Sequence, residues 1–249
     1  MIQVAHRVFD ILELLSQEID REFRLGEIAE ALDLNPSTCA NILKTMVDRG
    51  YITKVYPHKT YTLGPMIYQL PQRRNYKRSL VHLAHPHMAQ LAELQNETVV
   101  LTIIENGRFY IIDEVRSTRL PAIPFDPLYI RNIMSKVTTR VLLAHLEKPE
   151  RETMLAGRQP EAGVTTASKV ADDKLVEHQL DDIALQPVHC HADRHDVGYA
   201  APIWQDGKVI AALGLYLPQN RAGSIDETQL TRSITACADA IGQSLLQSL

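Results

Sequence analysis

The sequence predicts an α+β protein in two parts: a winged helix-turn-helix head, a linker helix, and a larger domain of antiparallel sheet flanked by helices. Three observations carry that prediction. Three short amphipathic patterns are followed by a β-prone hairpin, all before Pro65. Later in the chain, two pairs of strand-like runs are each joined by an Asn-Gly or Asp-Gly turn. Charge divides between the halves: from Asn35 to Arg78 eight Lys/Arg accompany one acid, Asp48, while from Ser79 onward fifteen accompany twenty-one Asp/Glu. The overall charge of -4 therefore conceals a basic module suited to phosphate and an acidic module that is not.

At 249 residues the chain has room for two domains with cores of their own. Its composition is that of an ordinary soluble protein, and no apolar run approaches the length needed to span a bilayer. The start, from Met1 to Leu15, lacks a basic segment, apolar core and small-residue cleavage site, so no signal peptide is indicated. Cys39, Cys190 and Cys237 are far apart and odd in number. A reducing, cytoplasmic setting is expected, with no membrane partner.

Val4, Val8, Ile11, Leu12 and Leu15 repeat at helical spacing to about Ser16, and Leu25, Ile28, Ala29 and Leu32 mark a second short helix. That second helix lacks Ser or Thr at its start, where Arg24 stands, so a weak cap is expected. The third begins better. Asn35 is an N-cap, Pro36 fits the first turn, and Gly50 suits a left-handed end. Cys39, Ile42, Leu43, Met46 and Val47 make its buried face. Tyr51–Val55 and Thr60–Leu63 then form a hairpin across Pro57-His58-Lys59. From Met66 to Gln90 the chain reads as mostly helix, with Pro71 and Pro86 as breaks or kinks and Arg73, Arg74, Lys77 and Arg78 as a basic cluster. Strands are expected at Thr98–Glu105, Arg108–Val115, Asp196–Trp204 and Lys208–Leu217, and helices at Ser135–Leu146, Val170–Leu185 and Ser224–Leu249. Hairpins with separated helices imply an antiparallel α+β domain.

Several short runs in this order resemble the IclR family of bacterial transcription regulators. In the head they are Arg7-Val8-Phe9-Asp10-Ile11-Leu12, Glu27-Ile28-Ala29, Ser37-Thr38, Arg49-Gly50-Tyr51-Ile52 and Tyr61-Thr62-Leu63-Gly64. Past the linker they are His85-Pro86, Leu91-Ala92, Asn96-Glu97-Thr98-Val99, Ala200-Ala201-Pro202-Ile203, Gly207-Lys208-Val209 and Ala211-Ala212-Leu213. The resemblance covers nearly the whole chain. It implies a head at residues 1–65, a linker at 66–78, and a GAF-like effector-binding domain at 79–249. It also implies a homodimer or tetramer on double-stranded operator DNA, answering to a small molecule with no cofactor and no catalysis.

On the third helix, Ser37, Thr38, Ala40, Asn41 and Lys44 form the face opposite the core. Asn41 matches adenine in a bidentate pair and Lys44 matches a guanine edge or phosphate, whereas Lys54, His58 and Lys59 on the hairpin suit backbone or minor groove. The effector site is expected at Met134, Ser135, His191, His195, Gly198, Gly214 and Tyr216. Here the chain departs from the family. Members commonly carry His-Ala-Thr-Ala-x-Gly-Lys before the central helix; the stretch here runs from Met134 to Arg140, and only Arg140 keeps the kind. Gly198 stands for a frequent Cys, and Gly214 and Tyr216 stand where two serines are usual. Those polar groups bind a small carboxylate in family members. Glycine leaves room and tyrosine adds an aromatic wall, which points to a remodelled pocket for an organic acid, aromatic or sugar-derived ligand. In the polar run from Val188 to Asp196, His189, Cys190, His191 and His195 leave three readings open: a metal-sensing site, a pocket lining, or an inert loop. Cys190 beside His191 also offers a thiol nucleophile, but sequence neighbours seldom face one another.

Overall fold

The computed structural model describes residues 2–18, 21–72, 78–121, 123, 134–156, 176–193 and 196–247. It forms two compact units, Met1–Arg78 and Ser79–Leu249. The first holds α1 (Gln3–Gln17), β1 (Phe23–Arg24), α2 (Leu25–Ala31), α3 (Pro36–Asp48), β2 (Ile52–Val55), β3 (Thr60–Leu63) and α4 (Pro65–Gln72). Each helix contributes one apolar stripe to a shared core: Ile11 and Leu15, Ile28 and Ala29, and Cys39, Leu43 and Met46, closed by Phe23, Ile52 and Tyr61.

Strand β1 was not legible as such, because two residues carry no period. It is recruited by β3, with Phe23 opposite Tyr61 and Arg24 opposite Thr60, making a sheet of order β1-β3-β2. The side chain of Thr60 bonds to Glu22 beside this junction. The weak start expected of α2 is corrected by Glu27, whose carboxylate accepts the Arg24 backbone N–H at 2.6 Å. The cap comes from the third helical position instead of the first. Gly50, at φ +74, ends the recognition-type helix as a left-handed residue and lets the chain turn into β2.

The second unit is built on a five-stranded sheet of order β5-β4-β8-β7-β6. Its strands are β4 (Thr98–Glu105), β5 (Arg108–Val115), β6 (His189–Ala192), β7 (Asp196–Gln205) and β8 (Lys208–Pro218), all pairing antiparallel. Asn106 and Gly107 both take positive φ, 49° and 71°, the geometry that matches the twist of a two-residue hairpin. Helices α5 (Arg78–Gln95), α6 (Val137–Ala144), α7 (Lys148–Ala156), α8 (residues 176–184), α9 (Gln219–Ala222) and α10 (Glu227–Gln247) cover it.

Side-chain alternation sorts the sheet into two cores. Val99, Leu101 and Ile103 of β4 face α5 and α10, together with Tyr199, Leu213, Leu215, Ile234 and Ile241. Val100 faces the other way, into a core with Phe109, Val141, Leu142, Ala212 and Tyr216 that α6 and α8 close. Arg221 donates two bonds of 2.6 Å to the buried Glu97 carboxylate and a third, 3.1 Å, to the carbonyl of exposed Pro121.

Four expectations are adjusted. Helix α5 runs through Pro86 without a break, while α4 ends at Gln72, one residue past Pro71. Helix α10 starts at Glu227, not Ser224, because the Asp226 carboxylate accepts the N–H groups of Thr228 and Gln229 at 3.0 and 3.1 Å. Helix α6 is shorter than expected, starting after Lys136, whose carbonyl takes the Thr139 hydroxyl at 2.7 Å. The expected helix over Val170–Leu185 is described only from residue 176, the rest lying outside the described residues.

Candidate functional site

Helix α3 presents its polar face as the sequence predicts. Asn35 Oδ1 accepts both the backbone N–H of Ser37 at 2.9 Å and its hydroxyl at 2.7 Å, so Ser37 meets a ligand as a hydrogen-bond acceptor. Ser37, Asn41 and Lys44 are exposed, while Thr38 and Ala40 are half-buried at the edge of the face. Thr45 is also exposed, and its hydroxyl returns to the Asn41 carbonyl at 3.0 Å, which leaves the Asn41 amide uncommitted by that bond.

The hairpin forms a wing whose tip, Tyr56 to Lys59, is exposed. His58 and Lys59 are therefore free to reach outward. Lys54 behaves differently: its Nζ lies 5.8 Å from the Tyr56 ring centre and 5.6 Å from that of Tyr61. Two rings hold the ammonium at the strand surface. Tyr56, 69% exposed, joins this surface and was missed among the candidates. Its signal was its place beside Pro57 at the hairpin tip. Of the basic cluster after α4, Arg73, Arg74 and Lys77 lie outside the described residues.

In the second unit the residues that replace the family's polar set come together closely. Gly198 lies opposite Tyr216 across β7 and β8, and Gly214 lies two residues along β8. The Tyr216 ring occupies the space above both glycines. A Cβ on Gly198 would sit 2.8 Å from Tyr216 Cε1 and 2.7 Å from Val137 Cγ1, and one on Gly214 would sit 2.8 Å from Tyr216 Cε2. The ring is 1% exposed, and its hydroxyl lies 3.2 Å from Thr138 Oγ1 and 3.4 Å from the Thr138 backbone N, which donates to it. Thr102 extends the network, donating to Thr138 Oγ1 at 3.1 Å. Burial pushes the Tyr216 phenol upward, so it stays neutral. The expectation that glycine leaves room is thus corrected: the room is filled by the tyrosine of the same sheet.

Beside this plug, Lys136 bonds Asp196 at 2.8 Å, with its ammonium 5.5 Å from the Tyr216 ring centre. Arg140 donates from Nε to the Met134 carbonyl at 2.8 Å, which ties the Met134-Ser135 turn to α6. His189 and His191 sit on β6, opposite Ala200 and Gly198. The run is not a loop where it is described: His189–Ala192 form the edge strand β6, whose residues alternate and whose backbone bonds to β7. Burial and the Arg140 charge lower both imidazoles, His189 to about 4. His195 lies outside the described residues.

The metal-sensing reading finds no support: among the described residues, no three His, Cys, Asp or Glu groups converge as a metal site. Pleating sends Cys190 to the opposite face, towards its cross-strand partner Tyr199. Burial raises the Cys190 thiol, away from the thiolate that nucleophilic chemistry needs. Among the described residues, no helix is long and apolar enough to cross a membrane.

A capped helix and a wing in one unit, and a sheet with helices on both faces in the other, give the chain the architecture of a winged-helix protein with a second, α+β domain. Comparison with known proteins narrows the class. The family model for the IclR helix-turn-helix domain matches residues 4–55, and that for the bacterial transcriptional regulator IclR C-terminal domain matches residues 75–243. The chain belongs to the IclR family of bacterial transcription regulators.

It is 27% identical to the HTH-type transcriptional regulator TtgV of Pseudomonas putida over 225 residues, covering 89% of this chain and 83% of that one. It is 25% identical to XynR of Escherichia coli over 237 residues, 92% of this chain and 90% of that one. Solved structures agree in fold. An IclR homologue from Microbacterium hydrocarbonoxydans, complexed with 4-hydroxybenzoate, has a TM-score of 0.75 at 21% identity, covering 98% of this chain and 99% of that one. The IclR regulator of Alicyclobacillus acidocaldarius has a TM-score of 0.76 at 18% identity with the same coverage.

Proposed function

We propose that this regulator binds a palindromic operator as a homodimer or dimer of dimers, and that a small organic molecule in the sheet domain sets its affinity. It acts by binding and not by chemistry. The reading rests chiefly on α3, where Asn41 and Lys44 stand exposed in the second and third turns of a helix with a capped N-terminus. In this reading Asn41 reads a base edge, Ser37, Thr38 and Lys44 set the helix in the major groove, and Lys54, His58 and Lys59 grip the backbone beside it.

The test uses a duplex selected by the protein from a random pool, compared with scrambled DNA by fluorescence anisotropy. Asn41→Ala should cost about 1–3 kcal/mol on the selected duplex and little on the scrambled one. Lys59→Ala should weaken both alike and reduce the salt slope by about one. Equal losses on both duplexes for Asn41→Ala would remove it from base readout. The effector half requires that a ligand shift operator affinity, since coupling is a difference in affinity between two states. A ligand that binds tightly and moves affinity for no duplex would refute that half.

A further inference from the structure

We infer that Thr45, a residue of α3 outside the set assigned above, reads the 5-methyl group of a thymine with its own methyl group. The inference rests on the operator-binding reading of α3 and extends it from hydrogen-bonding contacts to an apolar one.

Thr45 stands one turn after Asn41 and next to Lys44, and all three are exposed. Around the helix axis Asn41 lies between the other two, about 60° from Lys44 and about 40° from Thr45. Ile42, Leu43 and Met46 are buried on the far side and fix which way the helix is turned. A pose that brings Asn41 to the floor of the major groove therefore brings Thr45 there as well.

The Thr45 hydroxyl donates to the Asn41 carbonyl at 3.0 Å. A threonine in a helix divides between few rotamers, and this bond selects among them. It spends the one hydroxyl proton against the helix wall, so none is left for thymine O4 or for guanine O6 and N7. What Thr45 turns outward is its methyl group. The same return bond joins Thr153 to the Pro149 carbonyl and Thr235 to that of Thr231, so the bond alone marks no site. The position of Thr45 on the face of α3 is what gives its methyl a partner.

That partner follows from base chemistry. Among the four bases only thymine sets an apolar group on its major-groove edge, the 5-methyl. Covering one such carbon is worth about fourfold in affinity. Four residues of helix rise about 6 Å and one base step about 3.4 Å, which puts the thymine about two steps from the pair that Asn41 reads.

The test titrates the full chain by fluorescence anisotropy against the duplex it selects from a random pool, with each thymine replaced in turn by deoxyuridine. That replacement removes the 5-methyl and leaves base pairing intact. One thymine in each half-site, about two steps from the pair at which Asn41→Ala relaxes preference, should lose about fourfold on replacement. Thr45→Ser removes the protein's methyl and keeps the hydroxyl, and should bind the thymine and uracil duplexes alike. Thr45→Val keeps a methyl and removes the hydroxyl, and should retain the preference. Because each ratio compares two duplexes on one protein, a loss of folded material in a variant cancels from it.

The assignment is overturned if no thymine replacement weakens the parent, or if Thr45→Ser still prefers thymine by the parent's margin. It is also overturned if Thr45→Val loses the preference, which would give the contact to the hydroxyl. Its failure is distinct from failure of the operator reading. If Asn41→Ala weakens the selected duplex alone while thymine and uracil bind alike, the methyl contact falls and the operator reading stands. If the protein draws no preferred duplex from the pool, both fall.

Discussion

The tyrosine plug gives the sharpest prediction about stability. Two of the three nearest atoms to a Cβ on Gly198 belong to the Tyr216 ring, at 2.8 and 3.0 Å, and the third is Val137 Cγ1 at 2.7 Å. Carbon atoms in contact prefer about 3.5–4.0 Å, so each neighbour must retreat by roughly 1 Å. The ring cannot drift freely, because its hydroxyl is held at Thr138 and its faces are enclosed. Gly198→Ala should then cost about 1–3 kcal/mol, the usual range for overpacking a filled core. Tyr216→Ser should cost about 3–5 kcal/mol, from lost burial and the cavity left behind.

The combination decides the point. With the ring gone, two of three conflicts vanish, so the double variant should be less destabilised than the sum by about 1 kcal/mol. Urea unfolding followed by the single tryptophan, Trp204 on β7, reports this unit directly. Additivity within about 0.3 kcal/mol would show that the ring does not occupy the space above Gly198, and the plug would have to be abandoned.

Two further outcomes follow from buried charge. Removing Glu97 by Glu97→Ala strands the Arg221 guanidinium in the core and should cost about 3–5 kcal/mol, whereas Glu97→Met combined with Arg221→Met should recover most of it; urea midpoints of the three variants compare these directly. A double variant as unstable as Glu97→Ala would locate the loss in packing and not in charge. For His189, the folded value of about 4 lies below the ordinary 6.5. The unfolded chain therefore binds the proton first, and stability falls as pH drops from about 6.5 towards 4. His189→Gln should lose less stability than the parent between pH 7.5 and pH 5; an equal loss would mean that another group carries the acid sensitivity.

The head was legible almost residue by residue because its signals are local. A cap at Asn35, apolar spacing from Cys39 to Val47 and a glycine at position 50 each act within a few residues. The Asn106-Gly107 and Asp206-Gly207 hairpins were legible for the same reason, as their turn chemistry fixes strand register on both sides. What the sequence hid is held by distant partners. Strand β1 exists because β3 offers it an edge, and β6 because β7 does. Helix α7 has few apolar residues and is anchored instead by Arg151, which reaches Asp181 on α8 at 2.8 Å.

The effector region shows the same limit in a subtler form. Gly198, Gly214 and Tyr216 were legible as departures from a familiar pattern, and two glycines beside a tyrosine read as space. Only the cross-strand register reveals that the large residue fills what the small ones vacate. Arg140 was noticed as a survivor in kind, but its lack of an acidic partner among the described residues is a fact of three dimensions.

The two faces of the five-stranded sheet differ in how they would accept change under laboratory evolution. The α5 and α10 side is filled mainly by aliphatic side chains, which trade volume among themselves with little loss of order. The α6 side threads Thr102, Thr138 and Tyr216 into one hydrogen-bonded chain, so a substitution there must supply a matching donor or acceptor as well as a shape. A combinatorial library that randomises both sides with the same apolar alphabet would recover folded clones from the first and few from the second. Retuning this protein as a biosensor therefore calls for codons that include hydroxyl residues on the α6 side.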